Sequence, residues 1–213
     1  MDILKEEKSL WKKGFKHIAG LDEAGRGPLA GPVTACAVLL PKKFKIPENL
    51  EKIRDSKKLS PQKREEFCKI LKSNKQIKWG IANISEKTID KINIFEASKM
   101  AMLKSIKNLE KKTKGKVDFL VLDGNFKINS KLSQKPIIKA DDKVFSVMAA
   151  SIIAKTTRDK LMLRLDKKYP KYKFKIHKGY PTKLHQKLLK KHGPCKIHRK
   201  TFGPVFCLLN KKK

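Results

Sequence analysis

The sequence predicts an α/β fold: a mixed, five-stranded sheet flanked by helices on both faces, followed by a C-terminal helical extension. Three observations predict it. Short apolar runs suited to buried strands alternate with longer segments whose apolar residues recur at helical spacing. The first two strand-like runs are close in sequence while later ones are separated by helices, an order that mixes a hairpin with crossovers. Beyond Pro170 the apolar runs give way to a basic, aromatic stretch with helical spacing.

Taken in order, residues 1–16 form a charged helical lead-in that Trp11 and Phe15 can dock on the body. Residues 18–21 read as a strand ended by Asp22 and Glu23, residues 33–40 as a second strand, and residues 41–47 as a basic loop. Ser60 suits a helix N-cap and Pro61 the first helical position, after which Phe67, Ile70 and Leu71 recur at helical spacing. Residues 76–84 alternate as a third strand. Ser85 opens a helix over 86–112, irregular near Asn93. Residues 117–122 are almost continuously apolar and run into Asp123-Gly124, as a buried strand does when it stops at a functional edge. A short strand over 135–139 precedes a helix over 144–169, which Asp141 or Asp142 can cap; its stretch 148–154 is rich in small residues that allow close packing on the sheet. A further helix is expected around 185–191. The expected division is a lead-in over 1–16, a main α/β domain over 17–169, and a basic extension over 170–213 packed on that domain.

The length of 213 residues fits one domain with an extension, and a hydrophobic fraction of 39% supports a core. No apolar run approaches the ~20 residues that span a bilayer, and the first residues lack the apolar segment of a signal peptide. A cytoplasmic protein with no membrane partner is expected. The formal net charge of +33, from 53 Lys and Arg against 20 Asp and Glu, favours polyanions. A lysine-inflating coding bias produces the same excess, so charge alone does not settle the partner. The four cysteines match no zinc framework and read as reduced thiols, mostly buried.

Acidic side chains stand where a solvated surface is not expected: Asp22 and Glu23 at the first strand, Asp123 after the apolar run, and Asp141 between a strand and a small-residue helix. Ligand chemistry collects at strand ends in open α/β sheets. Carboxylates drawn together repel unless a cation joins them, and hard Mg²⁺ or Mn²⁺ suits an all-carboxylate site; two such ions suit in-line attack on a phosphodiester. Adjacent strand residues point to opposite faces. Asp22 and Glu23 therefore share a site only if the chain bends at Ala24-Gly25, or if Glu23 reaches in from the other side. Each acid also has a plainer reading as a helix cap, a turn residue or an ion-pair partner, and spacing alone does not show that they converge.

The motifs go further. Gly20-Leu21-Asp22-Glu23-Ala24-Gly25-Arg26-Gly27-Pro28, Asp55-Ser56-Lys57-Lys58-Leu59-Ser60, Leu122-Asp123-Gly124-Asn125, Lys139-Ala140-Asp141 running on to Arg158-Asp159, His177-Lys178-Gly179-Tyr180-Pro181 and His198-Arg199-Lys200-Thr201-Phe202 occur together in this order. With these pieces in family order and spacing, over roughly residues 17–205, the chain resembles ribonuclease HII, the type 2 ribonuclease H of bacteria. The resemblance implies an RNase H-like fold and endonucleolytic cleavage of RNA in RNA–DNA hybrids. It also implies cutting on the 5′ side of single ribonucleotides in duplex DNA, leaving 3′-hydroxyl and 5′-phosphate ends. It implies Mn²⁺ or Mg²⁺ held by Asp22, Glu23, Asp123 and Asp141. Gly25-Arg26-Gly27 matches the loop that senses a ribose 2′-hydroxyl, and Tyr180 matches the tyrosine that stacks on the sugar beyond. The physics agrees: the 2′-hydroxyl distinguishes RNA from DNA, glycines let backbone approach it, and Arg26 can fork onto a phosphate.

Lys57 is a candidate phosphate contact. Arg158-Asp159 reads as a helix-surface pair that either supports the site or faces outward. His177, His185, His192 and His198 read as structural or phosphate-facing rather than metal-binding. Ala140 stands where the family usually has Gly, and Asp142 adds an acid that leaves the choice of ligand between it and Asp141 open. The partners implied are RNA–DNA hybrid and ribonucleotide-containing duplex DNA, with the protein a monomer. The rival readings are a non-catalytic basic RNA-binding protein, a junction resolvase of the same fold, and the related ribonuclease HIII; the first gives no reason for the acids, the second none for the glycine-flanked arginine.

Overall fold

The computed structural model describes residues 2–51, 53 and 60–210. Five strands form one sheet in the order β3-β2-β1-β4-β5: β1 (Ile18–Ala24), β2 (Val33–Leu39), β3 (Lys78–Ile84), β4 (Phe119–Asp123) and β5 (Ser133–Ile137). β2 runs antiparallel to both β1 and β3, whereas β4 and β5 run parallel to β1. The central strands are buried on both faces, which explains their near-continuous apolar sequence. Ala19, Leu21, Ala35 and Ala37 face one core, built with α3 (Glu86–Thr113); Ile18, Cys36, Val38 and Val121 face the other, built with α4 (Phe145–Lys168), α2 (Pro61–Ser73) and α1 (Lys5–Lys12). α4 lies close on β1: a Cβ at Gly20 would stand 2.6 Å from the Ser146 backbone. The small residues Ala149, Ala150 and Ala154 continue that face.

The lead-in docks as expected. Trp11 is buried, and the Phe15 ring lies 4.6 Å from that of Phe119. Ser60 accepts the Lys63 N–H and Ser85 accepts that of Thr88, so both expected caps form. α3 is broken at Asn93, where φ is 65° and ψ is 168°.

Two expectations about the acids are corrected. Asp22 and Glu23 do not end β1: they pair with Cys36 and Ala35, and the strand continues to Ala24 opposite Thr34. The ladder bonds their backbones, so only their side chains are polar in an apolar setting. Neither Asp141 nor Asp142 caps α4. They lie in a 3₁₀ turn (Ala140–Asp142), and the N-cap Val144 makes no side-chain bond. The cap arrives from 139 residues away: Glu7 of α1 accepts the Ser146 N–H at 2.9 Å.

After α4 the chain forms a 3₁₀ turn (Pro170–Tyr172), α5 (Phe174–His177), α6 (Lys183–His192) and α7 (Gly203–Asn210). This region returns to the loop between β1 and β2. His198 bridges to Ala30, Gly31 N–H donates to Ile197 O at 2.8 Å, and Arg199 N–H donates to Leu29 O at 2.8 Å. Among the described residues no helix is long and apolar enough to cross a membrane.

Candidate active site

The ends of β1 and β4 open onto a cavity of about 440 Å³ lined by Asp22, Glu23, Gly25, Arg26, Gly27, Asp123, Asp141 and Tyr180, with Ser151 and Lys155 of α4 and Arg64 of α2. The four acids, the glycine-flanked arginine and the tyrosine thus share one space. Lys57 lies outside the described residues.

Each acid arrives by a different route. Asp22 sits within β1 on the α4 side and accepts the Glu23 N–H at 2.7 Å. Glu23 reaches the same cavity from the other face of the strand, without any bend before Gly25 (φ 98°). Asp123 ends β4, and its Oδ1 accepts the Ala140 N–H at 2.7 Å. That bond fastens the 3₁₀ turn to the strand end and carries Asp141 to the cavity. Ala140 in place of glycine does not hinder the turn, because its N–H is the group that is used.

Electrostatics couples Asp22, Glu23 and Asp123. Burial, then the neighbouring Glu23 carboxylate and, less, that of Asp123, push the Asp22 pKa well above the ordinary carboxylate value. Burial also raises that of Glu23, against the pull of Arg26, whose Nη1 lies 3.2 Å from Glu23 Oε1. Groups that ionise reluctantly by themselves gain from a cation, and all-carboxylate donors suit a hard divalent ion. Among the described residues no three acidic, imidazole or thiol groups stand close enough to hold an ion as they are. The all-carboxylate donor set fits Mg²⁺ or Mn²⁺ in kind.

The loop 24–33 is held from behind by two arginines that are both fully buried. Arg199 donates to three carbonyls: Nε to Gly31 O at 3.0 Å, Nη1 to Arg26 O at 2.8 Å and Nη2 to Gly25 O at 2.6 Å. Arg158 donates to Pro32 O at 3.0 Å, Lys178 O at 3.0 Å and Ala30 O at 3.2 Å. Sequence reasoning allowed the Arg158-Asp159 pair to support the site, though as a helix-surface pair, and gave Arg199 no role in it. Arg158 is not an outward-facing partner of Asp159, which instead bonds Lys155 at 2.8 Å. A signal existed, since Ala150, Ala154, Arg158 and Met162 follow at four-residue spacing along the buried side of α4. Arg199, inside a basic run, carries none. Also missed was the aromatic seat of Arg26, whose guanidinium lies 5.9 Å from the Phe95 ring and 5.8 Å from that of Phe126.

Tyr180 faces Gly27 across the cavity, where a Cβ would stand 4.0 Å from its ring. Lys155 and Arg158 lie 5.2 and 5.7 Å from the ring centre. His177, His185 and His198 are buried together behind it, whereas His192 is exposed. The structural reading of the first three histidines holds. The cysteines divide: Cys36 and Cys68 are buried, Cys195 partly so, and Cys207 is exposed.

Comparison with known proteins agrees with this geometry. The family model for ribonuclease HII matches residues 19–205. Ribonuclease HII of Bacillus thuringiensis is 45% identical over 211 residues, covering 99% of this chain and 78% of that protein. Ribonuclease HII of Endomicrobium trichonymphae is 43% identical over 213 residues, covering 100% and 97%. Among solved structures, ribonuclease H2 from Pyrococcus horikoshii superposes with a TM-score of 0.71 at 26% identity, over 92% of this chain and 98% of that one. Bst-RNase HIII, solved in complex with Mn²⁺, superposes with a TM-score of 0.71 at 14% identity over 93% of this chain and 70% of that one, a likeness of fold alone. The sheet is therefore an RNase H-like fold, the activity is that of a ribonuclease H, an endonuclease acting on RNA strands, and the chain belongs to the ribonuclease HII family.

Proposed function

We propose that the protein hydrolyses the RNA strand of RNA–DNA hybrids and cuts on the 5′ side of single ribonucleotides in duplex DNA, leaving 3′-hydroxyl and 5′-phosphate ends. Such an enzyme serves ribonucleotide excision repair and RNA primer removal. One observation carries the reading: four acids, the Gly25-Arg26-Gly27 loop and Tyr180 line a single cavity at the sheet end.

Asp22, Glu23, Asp123 and Asp141 hold Mn²⁺ or Mg²⁺. Bound there, two such ions would supply activation of a water for in-line attack and charge neutralisation at the leaving 3′ oxygen. The chain's own residues do the rest. The carbonyls of Gly25 and Arg26 are already taken by Arg199, so the loop presents its shape and its free edges to the ribose without rearranging. Arg26, seated on Phe95 and Phe126, neutralises a phosphate; Tyr180 stacks on the sugar next to the ribonucleotide. Lys57 supplies a further phosphate contact. Residues 17–169 form the catalytic domain, and 170–213 an extension that supplies Tyr180 and the brace from Arg199. The protein acts as a cytoplasmic monomer.

The test is cleavage of a DNA duplex containing one ribonucleotide, with Mn²⁺ or Mg²⁺ added. A cut on the 5′ side of the ribonucleotide is expected. Binding without cutting under either metal would point to a non-catalytic RNA-binding protein; equal cutting of all-DNA four-way junctions would point to a resolvase. Asp123→Asn should lower cleavage by at least about a hundredfold, as loss of one charge-stabilising group does, while substrate binding persists. Retained activity would remove Asp123 from the ligand set.

A further inference from the structure

Behind Tyr180 the buried histidines form a hydrogen-bonded chain in which every ring proton is assigned by its neighbours. The Cys195 N–H donates to His198 Nδ1 at 2.9 Å, so Nδ1 is an acceptor and the proton of a neutral ring lies on Nε2. His198 Nε2 stands 3.1 Å from His185 Nε2. With His198 the donor, His185 accepts there, and its own proton lies on Nδ1, 2.9 Å from the Tyr180 carbonyl oxygen. A second branch is fixed likewise. The Gly179 N–H donates to His177 Nδ1 at 3.2 Å, which leaves Nε2 to donate to Tyr172 O at 2.8 Å. The His177 carbonyl in turn accepts the Tyr180 N–H at 2.9 Å. Tyr180 is therefore gripped at both backbone groups, its N–H by the His177 carbonyl and its carbonyl by His185 Nδ1 together with the Thr182 N–H at 2.8 Å.

We propose that His198 and His185 form a tautomer-locked relay that positions Tyr180, and that they are positioning residues for cleavage at an isolated ribonucleotide. The inference rests on the reading that Tyr180 meets the sugar. The rings stack and tilt against one another and against Phe174, with His177 and His185 parallel at 4.3 Å, so the relay has little freedom to turn. Burial, together with the adjacent imidazoles, holds both rings neutral at physiological pH, with pKa values near 4. A neutral chain of this kind has one direction of donation, from the Cys195 segment to Tyr180. It joins α6, which carries His185, to the segment 195–199, which also holds the glycine loop through Arg199. Both substrate-sensing elements are thus referred to one buried centre.

The relay matters most where a single sugar must be recognised and least where a long hybrid offers many. His185→Phe keeps a ring but removes both nitrogens. His185→Asn places an amide N–H where Nδ1 donates. His198→Gln places one where Nε2 donates. Two substrates are compared, a duplex with one ribonucleotide and a long RNA–DNA hybrid. His185→Phe should lower kcat/KM on the first by about tenfold, the scale of one buried hydrogen bond, chiefly through kcat, and on the second by less than about threefold. His185→Asn should keep most of the activity that His185→Phe loses, and His198→Gln should stay within about threefold of the wild type on both substrates. In the wild-type protein, ¹⁵N shifts should show His198 protonated on Nε2 and His185 on Nδ1. Equal loss on both substrates, no loss at all, or the opposite tautomers would overturn the relay. If His185→Phe does not fold, the tautomer assignment and the two amide variants decide. Tyr180→Ala separates the two layers. Selective loss there with unselective loss in His185→Phe overturns the relay alone; equal loss on both substrates in Tyr180→Ala overturns the reading of Tyr180, and the relay's function with it.

Discussion

At the scale of single residues, the site depends on two cations that never meet substrate. Arg199 and Arg158 are both fully inside the protein, and burial, followed by the repulsion of Arg158, holds the Arg199 pKa down at about 9. Two buried like charges are costly unless their donors are used. Here six carbonyls meet them, and five of the six, Lys178 being the exception, belong to the loop between β1 and β2. The guanidinium plane is needed because it spans separated acceptors; an ammonium presents its donors from one point. Arg199→Lys should keep the charge yet leave one or two of the Gly25, Arg26 and Gly31 carbonyls unmet. At about 1–3 kcal/mol for each buried unsatisfied group, a loss of about 2–4 kcal/mol in unfolding free energy is expected in urea titration. A change within about 0.5 kcal/mol, the range of ordinary surface substitutions, would show that the fork does not brace the loop. Metal-type acids were legible in the sequence because their residue type contradicts their apolar surroundings. The arginines were not, since a basic residue in a chain with 53 of them looks like surface.

At the scale of elements, strands and helices were legible wherever periodicity is local, and their ends shifted only by a few residues. What escaped were the short helices α5 and α7 and features made by distant partners: Glu7 capping α4, Asp123 fastening the turn that bears Asp141, and the return of residues 195–199 to the loop between β1 and β2. The irregularity near Asn93 was legible, and its construction gives a prediction. Asn93 lies in a backbone region otherwise almost confined to glycine, a strain of order 1–3 kcal/mol. Its Oδ1 accepts the N–H groups of Phe95 (2.9 Å) and Glu96 (3.1 Å), restarting α3 as an N-cap does. Asn93→Ala keeps the strain and loses the cap, and should cost about 1–2 kcal/mol; Asn93→Gly loses the cap but relieves the strain, and should cost less. Denaturant midpoints give the order, and an alanine variant as stable as the glycine variant would refute it. Because the break aims Phe95 at Arg26, the alanine variant should also raise KM for hybrid substrates.

At the scale of the whole molecule, the charge carries information that the sequence could not apportion between coding bias and function. Four acids line the cavity and Glu7 is buried, but Arg26, Arg64 and Lys155 line the same cavity and Arg158 and Arg199 are buried, so these groups cancel and the whole excess of +33 lies on the outer surface. Such an excess acts in opposite directions on folding and on binding. It destabilises the compact chain by self-repulsion, which salt screens over a Debye length of about 10 Å at 0.1 M. It also strengthens nucleic-acid binding by counterion release, which salt opposes. Raising NaCl from about 50 to 200 mM should therefore raise the thermal midpoint of the free protein while lowering its affinity for an RNA–DNA hybrid. The binding slope in log–log form then separates the two origins of the charge. If lysines across the face around the cavity touch phosphate, the slope should be steeper than about −3, the loss of at least three or four neutralised phosphates. A slope near −1 would leave Arg26 almost alone on the backbone and make the rest of the excess compositional. The measurement needs no cleavage, so it can be run with Asp123→Asn, where the substrate stays intact while the rest of the surface is unchanged.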